Sequence, residues 1–297
     1  MPAKRRTKLK YNFRKYCIIP LKILRIAIVD TIRQDGIEHA GYLAFLSILS
    51  LFPSLIFLIS IAQFFGAFED GINLINNMIA TTPKEVSEAL APRINEIISG
   101  PPQSLLTIAI IGVIWTASSS VEGCRTILNR AYRVAFPPPY IWRRFISILE
   151  FFVIILIIIS SVIIFVIVPN ILHELEAKML IEKFNFDVQY LRESFIFILL
   201  TLTTSLLYFA LPNAKQKFSQ TIPGSILTVL LWVILAKIFI IYIEDFQQFS
   251  LVYGSLAGFI ASLIFFYLIS LAFILGAEFN YHFHRTYSVF LRNPNNK

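Results

Sequence analysis

FFVIILIIISSVIIFVIV, residues 151–168, holds nothing more polar than Ser160 and Ser161. Coiled as an α-helix, such a run extends about 27 Å, close to the thickness of a bilayer's hydrocarbon core. A helix that is apolar on every side has no face to offer water, so its solvent is lipid or protein. Read back to Phe145, it forms a transmembrane helix over 145–168. Working outward, five further stretches have comparable length and polarity: 41–65, 105–124, 195–211, 222–243 and 254–277. The second is the most polar, with Thr107, Thr116, Ser118, Ser119, Ser120 and Glu122, and the fourth is short enough to borrow a turn from 192–194.

Composition agrees with that count. Hydrophobic residues make up 57% of the 297 and charged residues 15%, where a soluble chain carries about a quarter. The mean hydropathy is +0.71. The fold class expected is all-α: a polytopic membrane protein of six transmembrane helices.

The formal charge of +8 invites a nucleic-acid reading, so its distribution decides. Ten of the 26 Lys and Arg precede residue 36, five lie in 125–144, two are Lys215 and Lys217, and three are Arg285, Arg292 and Lys297. Only Lys84, Arg93, Lys178, Lys183 and Arg192 fall in the alternate loops, where twelve of the eighteen acids sit. A 20-to-5 split alternating at every loop places both termini in the cytoplasm by the positive-inside rule. The basic arm then faces anionic lipid headgroups, and no nucleic-acid partner is expected. No cleavable signal peptide is visible. Cys17 and Cys124 have no metal-ligand spacing, and both fall on or near the reducing side.

Three parts follow: a basic arm and interfacial helix over 1–36, a six-helix membrane domain over 37–285, and a cytoplasmic tail over 286–297. In the first, Leu21, Leu24, Ile28 and Ile32 recur at helical spacing with Lys22, Arg25 and Arg33 off that stripe, an amphipathic helix on the leaflet surface. Thr82-Pro83-Lys84-Glu85 reads as the start of a short external helix. The segment 170–193 reads as partly helical, and Pro137-Pro138-Pro139 as a stiff turn.

Ionisable groups inside hydrocarbon are costly, so each is a candidate for function. Ser118, Glu122, Arg125 and Asn129 are spaced by four, three and four, on one face of a helix. Glu122 and Arg125 can pair there, and Arg130 and Arg133 continue the charge. This stripe is read either as the wall of a polar cavity or as an interhelical network that orients the bundle. Lys237 lies inside the fifth span, close enough to its end to snorkel outward toward Glu244 and Asp245. Glu278 and Asn280 close the sixth span and are expected at the interface. Pro53 should kink the first span, where Gln63 is a weaker polar candidate. Gly254-x-x-x-Gly258 continuing to Ser262, with Ala272 and Gly276 beyond, is a small-residue stripe suited to close packing, and to a homo-oligomer through span six.

Soluble-enzyme motifs are missing: no phosphate-binding Gly-rich loop, no HExxH, no nucleophile elbow. His39 and His173 are isolated, and His282 and His284, two apart, point to different helix faces. No metal centre, cofactor or catalytic residue is expected.

Taken in order, several of these segments resemble the YihY/BrkB family of bacterial membrane proteins. They are the stretch from His39 to Pro53, Trp115 to Ser120, Leu128 to Tyr132, Tyr208 with Pro212, Ile222-Pro223-Gly224 followed by Leu231-Trp232, Tyr253-Gly254-Ser255, and Leu275 to Asn280. The resemblance implies an inner-membrane protein of six spans. Its older label, ribonuclease BN, is regarded as misassigned, and branches of the family are linked to serum resistance and to envelope lipids. It supplies no catalytic residues. Three functions follow as expectations: a transporter or flippase-like protein for a lipid or another amphiphilic anion, a non-transporting scaffold or assembly factor, and, remotely, a ribonuclease.

Overall fold

The computed structural model describes residues 20–50, 103–179, 188–253 and 255–292, with most of their side chains. Among the described residues there are seven α-helices, one 3-10 turn and no strand. We number them α1 (20–33), α2 (from 36, helical to 50), α3 (Gln103–Ala131), α4 (Tyr140–Met179), α5 (Val188–Ala210), α6 (Ile222–Tyr253) and α7 (Ser255–Arg292), with the turn at Phe218–Gln220. Among the described residues three stretches are long and apolar enough to cross a membrane: Glu193–Ala210, Ile222–Tyr242 and Gly258–Thr286. The expected second and third spans lie wholly inside α3 and α4. Residues 41–50 of the first are helical. Pro53, Gln63, the helix expected after Thr82, Cys17 and Gly254 lie outside the described residues.

Every helix from α3 onward overruns the apolar stretch that announced it. Hydropathy marks what lipid can solvate, whereas helix ends are set by backbone chemistry. Thus α3 stops at Ala131 and α4 restarts at Tyr140, immediately after the three prolines, whose fixed φ and missing N–H groups suit the first turn of a helix but not its interior. The segment 170–193 is helical over 170–179 and 188–193, as its sequence suggests.

The chain sorts into two compact units. One holds residues 1–45, 123–139 and 189–297, and the other 46–122 and 140–188. In the first, polar groups face inward and aliphatic groups outward. From Thr221 into α6, Thr221, Ser225 and Thr228 are buried at steps of about one turn, while Ile226, Leu230, Val233, Ile234, Ile238 and Ile241 are exposed. Water would reverse that arrangement, and lipid favours it.

Interhelical hydrogen bonds fill the interior of this unit. The Tyr208 hydroxyl of α5 donates to the Phe273 carbonyl of α7 at 2.6 Å and lies 2.7 Å from the Thr228 hydroxyl of α6. Trp232 donates to the Ile269 carbonyl at 3.0 Å, and Phe273 stacks on Tyr208 at 4.7 Å between centroids. Glycine permits the approach. A Cβ on Gly276 would stand 1.9 Å from the Thr228 hydroxyl, and one on Gly224 would stand 2.2 Å from the Gly276 carbonyl. The small-residue stripe therefore needs correcting. Among the described residues a Cβ on Gly258 would have no neighbour within 4 Å and Ser262 is exposed, so the close packing of α7 seen there belongs to Ala272 and Gly276.

Helix α1 also packs on a different face from the expected stripe. Ile23, Ala27 and Thr31 are buried, the first two against Phe279 of α7 with Leu24 at the edge, while Leu21, Ile28 and Ile32 are exposed. The apolar stripe is real but free for lipid. At the α1–α2 corner, Gly36 is required because a Cβ would meet the Thr31 methyl and carbonyl at 2.6 Å. The left-handed residue is Asp35, at φ 57°.

Candidate functional site

The four residues of the α3 stripe, Ser118, Glu122, Arg125 and Asn129, are all buried. Ser118 and Glu122 fall in the second unit, and Arg125, Asn129 and Arg130 in the first. Ser118 donates to its own helix, to the Trp115 carbonyl at 3.1 Å. Glu122 turns to α4, where the Ser147 hydroxyl donates to it at 2.8 Å and Arg143 stands 3.4 Å away. Arg144 reinforces that seam: it donates to the Trp115 carbonyl at 2.6 Å and the Ser119 hydroxyl at 3.0 Å, and its guanidinium lies over the Trp115 ring at 4.4 Å. Arg125 is 1% exposed, the largest fully buried side chain among the described residues.

In the first unit, Asn129 clamps the segment after α5. Its carbonyl oxygen accepts from the Asn213 backbone at 2.7 Å, and its amide donates to the Asn213 side chain at 3.1 Å. Arg130 is exposed and pairs with Asp35, with a further contact to His39 at 2.9 Å. An arginine can only donate, so His39 Nε2 is the acceptor and the imidazole is neutral in that contact. Burial, then Arg130, holds the His39 pKa below its ordinary value.

Glu278 and Asn280, which close the expected sixth span, are packed inside the protein, each 1% exposed. Asn280 accepts from the Gly224 N–H at 2.6 Å and donates to the Thr221 carbonyl at 3.0 Å and the Tyr132 hydroxyl at 3.3 Å, joining α7 to α6 and to the end of α3. Glu278 receives both ends of one guanidinium, from Arg133 at 2.8 and 3.0 Å. The same arginine reaches Asp30 of α1 at 3.5 Å, and His282 lies 2.9 Å from that carboxylate.

Arg133 is held there by a backbone device. Val134 N–H bonds the Asn129 carbonyl at 2.8 Å and Arg133 N–H the Arg130 carbonyl at 3.0 Å, the Schellman closure of a helix. The residue in the left-handed position is normally glycine, yet here it is Arg133, at φ 57°. Both left-handed residues found among the described residues, Asp35 and Arg133, carry ion pairs of this one region. Strain of that kind persists where the side chain is needed.

Ligand atoms of Asp30, Glu278 and His282 lie within 4.8 Å of one another, a grouping that the isolated spacing of the histidines does not suggest. The cation among them is the Arg133 guanidinium, engaging both Glu278 oxygens, so a metal ion there would have to displace it. Sequence reasoning missed this cluster because Asp30 stands 103 positions from Arg133 and 252 from His282. The usable local signal was Glu278 and His282 at i and i+4, one face of α7. Lys237, on α6, is exposed.

Beside the cluster opens a cavity of about 400 Å³, between the end of α3, the segment 213–220 and the end of α7. Tyr132, Arg133, Asn213, Lys215, His284 and Arg285 are among its walls, and no carboxylate is among the described lining residues.

Comparison with known proteins agrees with this architecture. The chain is 25% identical over 273 residues to the ribonuclease-like protein YfkH of Bacillus subtilis (strain 168), covering 88% of this chain and 94% of that one. It is 27% identical over 248 residues to a UPF0761 membrane protein of Vibrio atlanticus (strain LGP32), covering 81% and 75%. A UPF0761 membrane protein of Vibrio vulnificus (strain YJ016) is 25% identical over 283 residues, covering 91% and 87%. No solved structure matches. The family model described as Virulence factor BrkB matches residues 27–297, nearly the whole chain with its apolar helices and their buried polar seams, and the protein belongs to that family of integral membrane proteins.

Proposed function

We propose that this protein is a six-span inner-membrane transporter or flippase-like protein for a lipid or another amphiphilic anion, with both termini in the cytoplasm. The observation that carries the reading is the burial of Ser118, Glu122, Arg125 and Asn129 along one helix. A charged group inside hydrocarbon is retained against a cost of several kcal/mol, and such groups commonly line substrate paths. The alternating distribution of Lys and Arg supports the orientation. On this reading the chain is not a catalyst and uses no cofactor.

The test is movement of a fluorescent anionic lipid across proteoliposomes containing the purified chain. Wild-type protein should move it faster than empty vesicles, and Arg125→Ala and Glu122→Ala should fall to the empty-vesicle rate. Equal rates for variants and wild type remove the site assignment, and a wild-type rate at background removes transport. A scaffold is the second reading, favoured by the way Glu122 and Asn129 engage neighbouring elements. It predicts a stoichiometric crosslinked partner that survives both substitutions. The ribonuclease-like name of the Bacillus relative suggests RNA cleavage, and purified protein that leaves RNA intact with and without divalent metal disposes of it.

A further inference from the structure

Helix α1 presents three different sides. At 3.6 residues per turn, the buried Ile23, Ala27 and Thr31 cover about 80° of it, and packing of the first two on Phe279 fixes its roll. Leu21, Ile28 and Ile32 come next, all exposed and within about 40° of one another. Beyond them Lys22, Arg25 and Arg33, exposed as well, occupy about 80° with Val29 between them.

The depth of α1 follows from what it rests on. The stretch Gly258–Thr286 of α7 has 29 residues, about 44 Å of helix, the thickness of a bilayer with its headgroup layers. Phe279 stands about 10 Å short of the end of that stretch, near the boundary between acyl chains and headgroups. A helix held there puts its aliphatic side chains among acyl chains, while lysine and arginine stems carry their charges out to the phosphates. The three cations are also unengaged: among the described residues none has an ion pair or a side-chain hydrogen bond. The neighbouring acids are engaged elsewhere, Asp30 by Arg133 and His282 and Asp35 by Arg130, and the exposed Glu38 of α2 is one charge against three.

We propose that α1 is a binding strip for anionic phospholipid, with acyl chains along Leu21, Ile28 and Ile32 and phosphates on Lys22, Arg25 and Arg33. A zwitterionic lipid carries its own cation beside the phosphate, so the basic sector selects for net negative charge. A protein partner would have to displace lipid from an apolar strip that lies at acyl depth. Bound lipid also reaches the bundle: whatever holds α1 against Phe279 holds Asp30 beside Arg133, and so stabilises the folded chain. The inference concerns resident lipid, and stands or falls apart from whether the chain transports anything.

The experiment takes full-length protein from an equimolar mixture of phosphatidylglycerol and phosphatidylcholine and identifies the retained lipid by native mass spectrometry. Wild type should retain phosphatidylglycerol in at least about fivefold excess, and adding that lipid to delipidated protein should raise the melting temperature. Lys22→Gln/Arg25→Gln/Arg33→Gln should lose both effects, yet melt like wild type without lipid, since all three residues are exposed. Arg25→Gln alone should lower the excess and serves if the triple variant fails to insert. A nitroxide on Ile28→Cys, in protein carrying Cys17→Ser and Cys124→Ser, should be reached by oxygen and not by a water-soluble nickel chelate. Equal retention of the two lipids, or an excess untouched by these variants, overturns the proposal. So does a label reached by nickel, which puts the strip in water, or by neither reagent, which shows it covered by protein.

Discussion

Helix α7 is two different helices joined end to end. Around Gly258–Ile264 it shows Phe259, Ile260, Leu263 and Ile264 outward, and Gly258 meets no neighbour. Around 270–280 it buries Ser270, Gly276, Glu278 and Asn280, and a methyl group at Gly276 would collide with α6. The first half is solvated by lipid tails. The second is solvated by the protein itself, through hydroxyls, carbonyls and a guanidinium. Apolar character thus says where a helix can sit in a bilayer, while polar character says where it touches its neighbours.

The sharpest way to break that contrast is to place the same side chain in both halves. Gly276→Leu must displace the Thr228 hydroxyl, the Tyr208 hydroxyl and the Gly224 backbone at once, and α6 and α7 should fail to pack. We expect no monodisperse protein on size exclusion in mild detergent. Gly258→Leu meets open space, and should leave elution and melting temperature within error of wild type. Comparable losses from the two substitutions would mean that α7 is packed along its whole length.

Next in size is the ionic cluster. Arg133→Ala leaves Glu278 buried without its bidentate partner, a change that costs about 3–5 kcal/mol for a buried pair. Part of Arg133 is exposed, so the lower end is expected, read as a large drop in melting temperature. Arg133→Gly relieves the left-handed backbone strain and should recover about 1 kcal/mol relative to Arg133→Ala. If the alanine and glycine variants melt together, the backbone at this position is not strained.

Asn280→Ala tests the neutral part of the same half. It removes one acceptor and two donor contacts, leaving the Gly224 N–H and the Thr221 carbonyl buried without this partner. The Thr221 carbonyl keeps the Ser225 N–H and hydroxyl, so the cost falls mainly on the Gly224 N–H, about 1–3 kcal/mol for a buried group losing its partner. Asn280→Asp separates roles, since it keeps the acceptor for Gly224 and loses the donor for Thr221, and it should fall between wild type and alanine.

What the sequence disclosed divides along the same line. The helices were legible because lipid solvation acts residue by residue, so 151–168 or 222–243 can be recognised with no knowledge of its neighbours. The α3 stripe was legible because one helix fixes its own faces. The Arg133–Glu278–Asp30–His282 cluster was not, because its members come from three helices far apart in the chain, and Arg133 reaches it through a helix cap usually made by glycine. Gly276 and Gly258 look alike in the sequence. Only the arrival of Gly224 and Thr228 opposite one of them distinguishes a packing residue from a lipid-facing one.

The smallest effect expected is a pH response at the α1–α2 corner, away from both halves of α7. Burial and Arg130 favour neutral His39, while Asp35 and Glu38 oppose them more weakly, so the folded pKa is lowered below the ordinary 6.5. Between the folded and unfolded values the unfolded chain binds the extra proton, so stability is intact above pH 6.5 and declines as pH falls below it. Protonation also turns Nε2 from acceptor to donor and sets two donors against each other, leaving Arg130 to its pair with Asp35. Melting curves from about pH 7.5 to about pH 5.5 should slope downward with acid in wild type and less in His39→Gln, whose amide oxygen can still accept from Arg130 without titrating. Identical slopes in the two proteins would place the acid sensitivity elsewhere, with the carboxylates around Arg133 the next group to substitute.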